Sequence, residues 1–228
     1  MSSVVKKIVE TPATTRIPAA ERRELILEAA TAVFAERGYA GTTTDQVARA
    51  AAISQPYVVR MFGTKENLFL EAMDRALGKV FDAFRGVIAA YDSGELAAEP
   101  AQLDPSLGSG RPEQIKALMG VAYADLIEDR GILMMLMQSF VTGHETVIGP
   151  RARDGFLALF RLVRDEAGLE AEQARDFLAQ GMLMNTLLNL RLPEIYDADP
   201  TAGELLECTL RAKLPTVLAA SKAHARIS

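Results

Sequence analysis

From Glu21 to Ala220 the apolar residues recur three and four positions apart, and no stretch alternates polar with apolar long enough to make a half-buried strand. A chain with that single period can bury its apolar stripes only by packing helix against helix, so the expected fold is all-α. The breaks in the pattern set the helix ends. Leu25, Ile26, Ala29, Ala30, Val33 and Phe34 form the stripe of a first helix, which Arg37 and Gly38 close with a cation and a left-handed cap. Thr43 followed by Gln46 is a capping box opening a two-turn helix over 44–51, with Val47, Ala48 and Ala51 on its apolar face. Ser54 is an N-cap candidate and Pro56 sits in the first turn of a third short helix over 55–61, stopped by Gly63. Thr64 caps a longer helix that runs through Leu68, Phe69, Met73, Val80 and Phe84 to about Ala90. The Pro- and Gly-rich segment 92–112 reads as a long loop, part of it a candidate for disorder. Further helices are expected over 113–129, 131–146, 150–168, 170–191 and 201–220.

Length and charge then narrow the function classes. A chain of 228 residues, 49% hydrophobic and 24% charged, can bury a sizeable core without staples. Its net charge of −5 argues against indiscriminate coating of nucleic acid, but the charge is uneven. Residues 1–75 carry ten Lys/Arg against nine Asp/Glu, whereas 76–228 carry fifteen against twenty-one, so a polyanion is expected to dock on the N-terminal third. Residues 1–18 read as a mobile basic arm or an inert tail. The lone Cys208 excludes an intrachain disulfide, and with no apolar signal segment near the start the chain reads as cytoplasmic. The longest apolar run, Ile132 to Val141, is too short to span a membrane. His144 and Glu145 are adjacent and diverge on a helix, and no His-Glu-x-x-His, glycine-rich phosphate loop or Gly-x-Ser-x-Gly is present. No catalytic residue, metal or cofactor is therefore assigned.

Segment 43–62 has the spacing of a helix-turn-helix, in which the second helix offers its N-terminal side chains to the major groove. Gln55, Tyr57 and Arg60 are expected to be exposed there, with Val58, Met61 and Phe62 turned inward. Gln pairs with adenine, Arg with guanine or phosphate, and the Pro56 ring suits a thymine methyl. Lys65, in the first turn of the next helix, suits a phosphate contact, and Thr43 and Thr44 complete the candidate DNA-facing set. The plainer alternative is an ordinary solvated surface.

The Phe34-x-x-x-Gly38 ending, the Val47-Ala48…Ala50-Ala51-Ala52-Ile53-Ser54 turn and the run Phe62-Gly63-Thr64-Lys65-Glu66-Asn67-Leu68-Phe69 resemble the DNA-binding domain of the TetR family of transcriptional regulators over residues 20–75. The resemblance implies a homodimer of all-helical subunits, each with an N-terminal DNA-binding domain and a larger C-terminal domain that binds an effector and dimerises. Domains are expected at 19–66 and 67–220, with a tail at 221–228. Two positions depart from the family pattern. Ala52 stands where the family usually has Gly, which requires either a negative φ or some absorbed strain. Val59 stands where it often has an aromatic, which moves the expected phenolic contact to Tyr57.

The C-terminal region carries six of the nine methionines, and adaptable Met side chains suit either a ligand cavity or a filled core. The resemblance favours a cavity, with Met134, Gln138, Phe160 and Asn185 as candidate effector contacts. It also places the dimer on the last two helices, with Phe177, Leu178, Gly181, Leu188, Leu205 and Thr209 as candidates. The functional expectation is a repressor released from a palindromic operator on double-stranded DNA by a small, largely apolar effector. The alternatives are a constitutive regulator or activator with no ligand response, and a helical ligand-binding protein that has lost DNA binding.

Overall fold

The structure, a computed structural model, describes residues 18–98, 110–128 and 131–225, and among them every regular element is helical. The basic arm expected over 1–18 lies outside the described residues apart from Pro18, as does most of the loop expected over 92–112.

The first helix, α1 (Ala19–Gly41), is bent at Gly38, whose φ of +71° turns the chain where the cap was expected. Thr42 Oγ1 then donates to the Gly38 carbonyl at 2.8 Å, and its burial locks the turn into α2 (Thr44–Ala50). The capping box forms: Thr43 N–H donates to Gln46 Oε1 at 2.9 Å, and Gln46 N–H to Thr43 Oγ1 at 3.3 Å. Ala52 leads into α3 (Gln55–Phe62) with φ +54°. Of the two conditions under which alanine can replace glycine there, the strained one holds, because a Cβ in left-handed backbone crowds the following carbonyl at a cost of about 1–2 kcal/mol. Val47, Val58, Phe62, Leu68 and Phe69 close these helices over Ile26, Ala30 and Phe34, with Phe34 and Phe69 edge to face at 5.0 Å.

Helix α4 (Lys65–Asp92) starts on Thr64, whose hydroxyl accepts from Asn67 N–H, and runs unbroken for 28 residues. It belongs to both halves of the molecule. Its first turns pack Leu68 and Phe69 into the head, and its later turns carry Val80, Phe84 and Val87 into the core of the C-terminal helices. Those helices are α5 (Arg111–Asp125), α6 (Ile132–Val141), α7 (Ile148–Arg161), α8 (Ala171–Asn189), α9 (Pro200–Leu210) and α10 (Leu214–Ala225).

The single helix expected over 201–220 is two. Pro215 has no amide hydrogen, and in a continued helix its ring would collide with the carbonyl of Arg211, four residues back. The chain breaks at that residue, with Arg211 at φ +49° and ψ −122°, passes through a 3₁₀ turn over Arg211–Lys213, and restarts as α10, which extends five residues past position 220.

Candidate nucleic-acid interface and ligand cavity

In the head, Val58 and Phe62 anchor α3 inward, and Gln55, Pro56, Val59 and Arg60 lie on the outer side, Gln55 being half-buried. Gln55 Nε2 donates to Thr44 Oγ1 at 3.3 Å, which ties the start of α3 to the start of α2. Thr43, exposed, spends its hydroxyl on the α2 cap. Tyr57 is half-buried, its ring held between two guanidinium groups, Arg22 of α1 at 4.9 Å and Arg60 of its own helix at 4.8 Å. Each stacking is worth about 0.5–1 kcal/mol at an exposed site, and together they hold two cations at the same end of the head. Arg22 was not a sequence candidate; its place one turn inside the first helix gives no hint that it reaches α3. Lys65 is half-buried, with Nζ donating to the Tyr39 carbonyl at 3.0 Å and lying 4.5 Å from the Tyr39 ring centroid. The ammonium therefore braces the bend after α1 while standing beside the N-terminus of α4. The result is a short outward helix with two hydrogen-bonding side chains and a pair of cations beside it, the arrangement needed to enter a groove and hold flanking phosphates.

The head is bolted to the C-terminal helices on two sides. Arg75 pairs with Glu24, Arg23 with Glu71, and Arg151 makes a two-pronged bond to Asp74 at 2.8 and 3.0 Å, linking α1, α4 and α7. On the second side α6 begins at Gly131, where any Cβ would stand 3.1 Å from the Thr31 carbonyl of α1. Gln138, further along α6, donates to the Ala35 carbonyl of α1 at 3.4 Å.

Between α4, α5, α6, α7 and α8 lies a narrow cleft open to solvent at its mouth. Its walls are aromatic and aliphatic, with Phe84, Tyr123, Phe140, Phe156 and Phe177 contributing rings. Asn185 and the Tyr123 hydroxyl form a hydrogen-bonded pair at 2.9–3.1 Å, and burial pushes the Tyr123 phenol up to about 12. Gln180 donates to the Thr209 carbonyl at 3.1 Å.

The four candidate effector contacts do not converge. Asn185 lines the cleft. Met134 faces a separate groove beside α1, Gln138 is taken up at the seam with the head, and Phe160 lies under the Arg164 guanidinium, 5.5 Å away. The methionine pattern could not sort them, because Met119 and Met135 are wholly buried filler while Met182 and Met184 line the cleft. The dimer candidates divide similarly. Phe177 packs on Phe84 at 5.6 Å, Thr209 is buried and Gly181 lies against the Tyr123 ring, whereas Leu205 is exposed and Leu178 and Leu188 are half-buried. Leu183 on α8 and Leu190, which caps its C-terminus, are exposed apolar residues that spacing did not single out.

Comparison with known proteins agrees with this layout. Residues 26–72 match the family described as bacterial regulatory proteins, tetR family. Over that segment, which holds the helix-turn-helix, the chain is similar to the TetR family. Its all-helical fold is shared, at a TM-score of 0.54, with a TetR-like transcriptional regulator from Rhodococcus sp. RHA1, 22% identical and covering 92% of this chain and 99% of that one. A TetR-family member from Streptomyces coelicolor A3 gives a TM-score of 0.51 at 21% identity, over 83% and 98% of the two chains. Among curated relatives, the HTH-type transcriptional activator FasR of Mycolicibacterium smegmatis is 25% identical over 172 residues, 74% of this chain and 70% of FasR. The HTH-type transcriptional regulator HbdR of Aromatoleum sp. strain CIB is 39% identical over 57 residues, a quarter of each chain. These similarities support a DNA-binding transcriptional regulator. Among its described residues no helix is long and apolar enough to cross a membrane.

Proposed function

We propose that the chain works in the cytoplasm as a homodimer that binds a palindromic operator on double-stranded DNA and is released from it by a small, largely apolar effector. The observation that carries this reading is α4: one unbroken helix holds the α2–α3 head at its first turns and forms a wall of the aromatic cleft with Phe84 at its later ones. An effector that prefers one placement of α4 changes operator affinity by the factor by which operator changes effector affinity. The contact of α6 with α1 through Gly131 and Gln138 supplies a second route, since α6 also lines the cleft with Leu136 and Phe140.

In this reading Gln55, Pro56 and Arg60 face the bases, Arg22 and Lys65 face phosphates beside Thr43 and Thr44, and Tyr57 orients the two arginines. Asn185 orients the effector. The dimer forms on α8, its C-terminal cap and α9 through Leu183, Leu190 and Leu205, next to Leu178 and Leu188. A second reading, activation in place of repression, is favoured by the similarity to FasR, which is named an activator. Selection from a randomised duplex pool at physiological salt tests the proposal. Wild type is expected to enrich an inverted repeat and Arg60→Ala to enrich none; enrichment of a single unrepeated site, or of the same repeat by both proteins, refutes it. The sign follows from a reporter carrying the recovered site, with and without the protein.

A further inference from the structure

The cleft has an end unlike the rest of it. Lys213, on the 3₁₀ turn between α9 and α10, lies at the border of the aromatic cleft and of a second, more polar hollow, lining both together with Phe177, Gln180 and Leu210. The hollow adds two more cations, Lys116 and Arg211, and its one carboxylate, Glu113, accepts a hydrogen bond from Gln173 Nε2 at 3.3 Å. Among the described residues Lys213 Nζ has no hydrogen-bond or ion-pair partner, and burial beside Lys116 and Arg211 lowers its amine to about 8. An amine half removed from water with no counter-charge is costly, and the fold goes out of its way to keep it. The Arg211 break, with its positive φ, swings the turn inward. Gly120, in the middle of α5, leaves the space that Lys213 Cε and Nζ fill; a Cβ at residue 120 would collide with both. Glycine inside a helix costs about 0.5–1 kcal/mol relative to alanine, so two unfavourable local choices serve one side chain.

We propose that the effector is an amphipathic monocarboxylate, with its apolar body among the aromatic rings and its carboxylate paired with the Lys213 ammonium at the cationic end. This rests on the reading of the cleft as the effector site. An apolar cleft ending in a half-buried cation with no counter-charge favours a ligand that is apolar along its length and anionic at one end, because such a ligand satisfies both surfaces without leaving a charge unpaired.

Calorimetric titration of the full-length protein at pH 7 with two probes of one length, decanoate and decan-1-ol, tests this. Decanoate is expected to bind at least tenfold more tightly than decan-1-ol. Lys213→Met is expected to remove that preference while leaving decan-1-ol affinity within twofold. Gly120→Ala, which displaces the amine without deleting it, is expected to weaken decanoate in the same direction. Equal affinities in the wild type, or a preference that survives Lys213→Met, overturns the carboxylate proposal and leaves the cleft as an effector site. Failure of both probes to bind the wild type overturns the effector reading itself, and the carboxylate proposal with it.

Discussion

Replacing Lys213 by Met removes a charge that the fold holds partly out of water, and the stability gained can be worked out from its titration. An amine at 10.5 in the unfolded chain and about 8 in the folded one loses roughly 3 kcal/mol on folding wherever both states are protonated, at about 1.4 kcal/mol per pH unit. Below pH 8 the full cost is present. Between pH 8 and 10.5 the unfolded chain binds more protons than the folded one, so stability rises with pH and the cost drains away; above 10.5 none is left. Lys213→Met is therefore expected to be more stable than wild type by up to about 3 kcal/mol at pH 7, with the gap shrinking to packing differences alone near pH 10.5. Urea unfolding of both proteins at one fixed protein concentration, at half-unit steps from pH 6.5 to 10.5, measures the gap directly, because every other titrating group contributes to both. A gap that is absent at pH 7, or the same at both ends of the range, refutes the claim that Lys213 is held charged and uncompensated.

Ala52→Gly is expected to stabilise the head by up to about 1 kcal/mol in thermal unfolding, the relief of left-handed strain outweighing the extra freedom of glycine in the unfolded chain; a loss of stability would remove the strain. Lys65→Ala is expected to lower the log-log salt slope of operator binding by about one per half-site and to cost stability through the lost bond to Tyr39; an unchanged slope takes Lys65 off the DNA. Leu183→Glu is expected to give monomers in sedimentation at micromolar concentration with unaltered helix content, and an intact dimer would move the interface elsewhere.

The head was legible because its signals are local. A capping box at Thr43 and Gln46, a glycine at 38 and a proline in the first turn of α3 each act within four residues, and the helices start and stop where those residues dictate. The C-terminal cavity depends on contacts far apart in the chain, and composition could not resolve them. Asn185 finds Tyr123 across 62 residues, and Gln138 finds Ala35 across 103. Lys213 left a trace that periodicity alone passed over: it falls in the phase of Leu206, Leu210 and Val217, a cation where the stripe calls for an apolar residue. Pro215, read as part of a continuous helix, was the sign that the turn carrying Lys213 must leave that helix.

The unbroken length of α4 sets how small a disturbance at the cleft can be and still matter at DNA. Its 28 residues, at about 1.5 Å each, make a rod of roughly 42 Å. A swing of only about 5° about one end carries the other through roughly 3.5 Å, close to the 3.4 Å rise between neighbouring bases on a strand. Under the proposed release mechanism, a tilt of the same size pivoting near Phe84, 19 residues or roughly 28 Å from the start of α4, would move the reading head by about 2.5 Å, most of one base step.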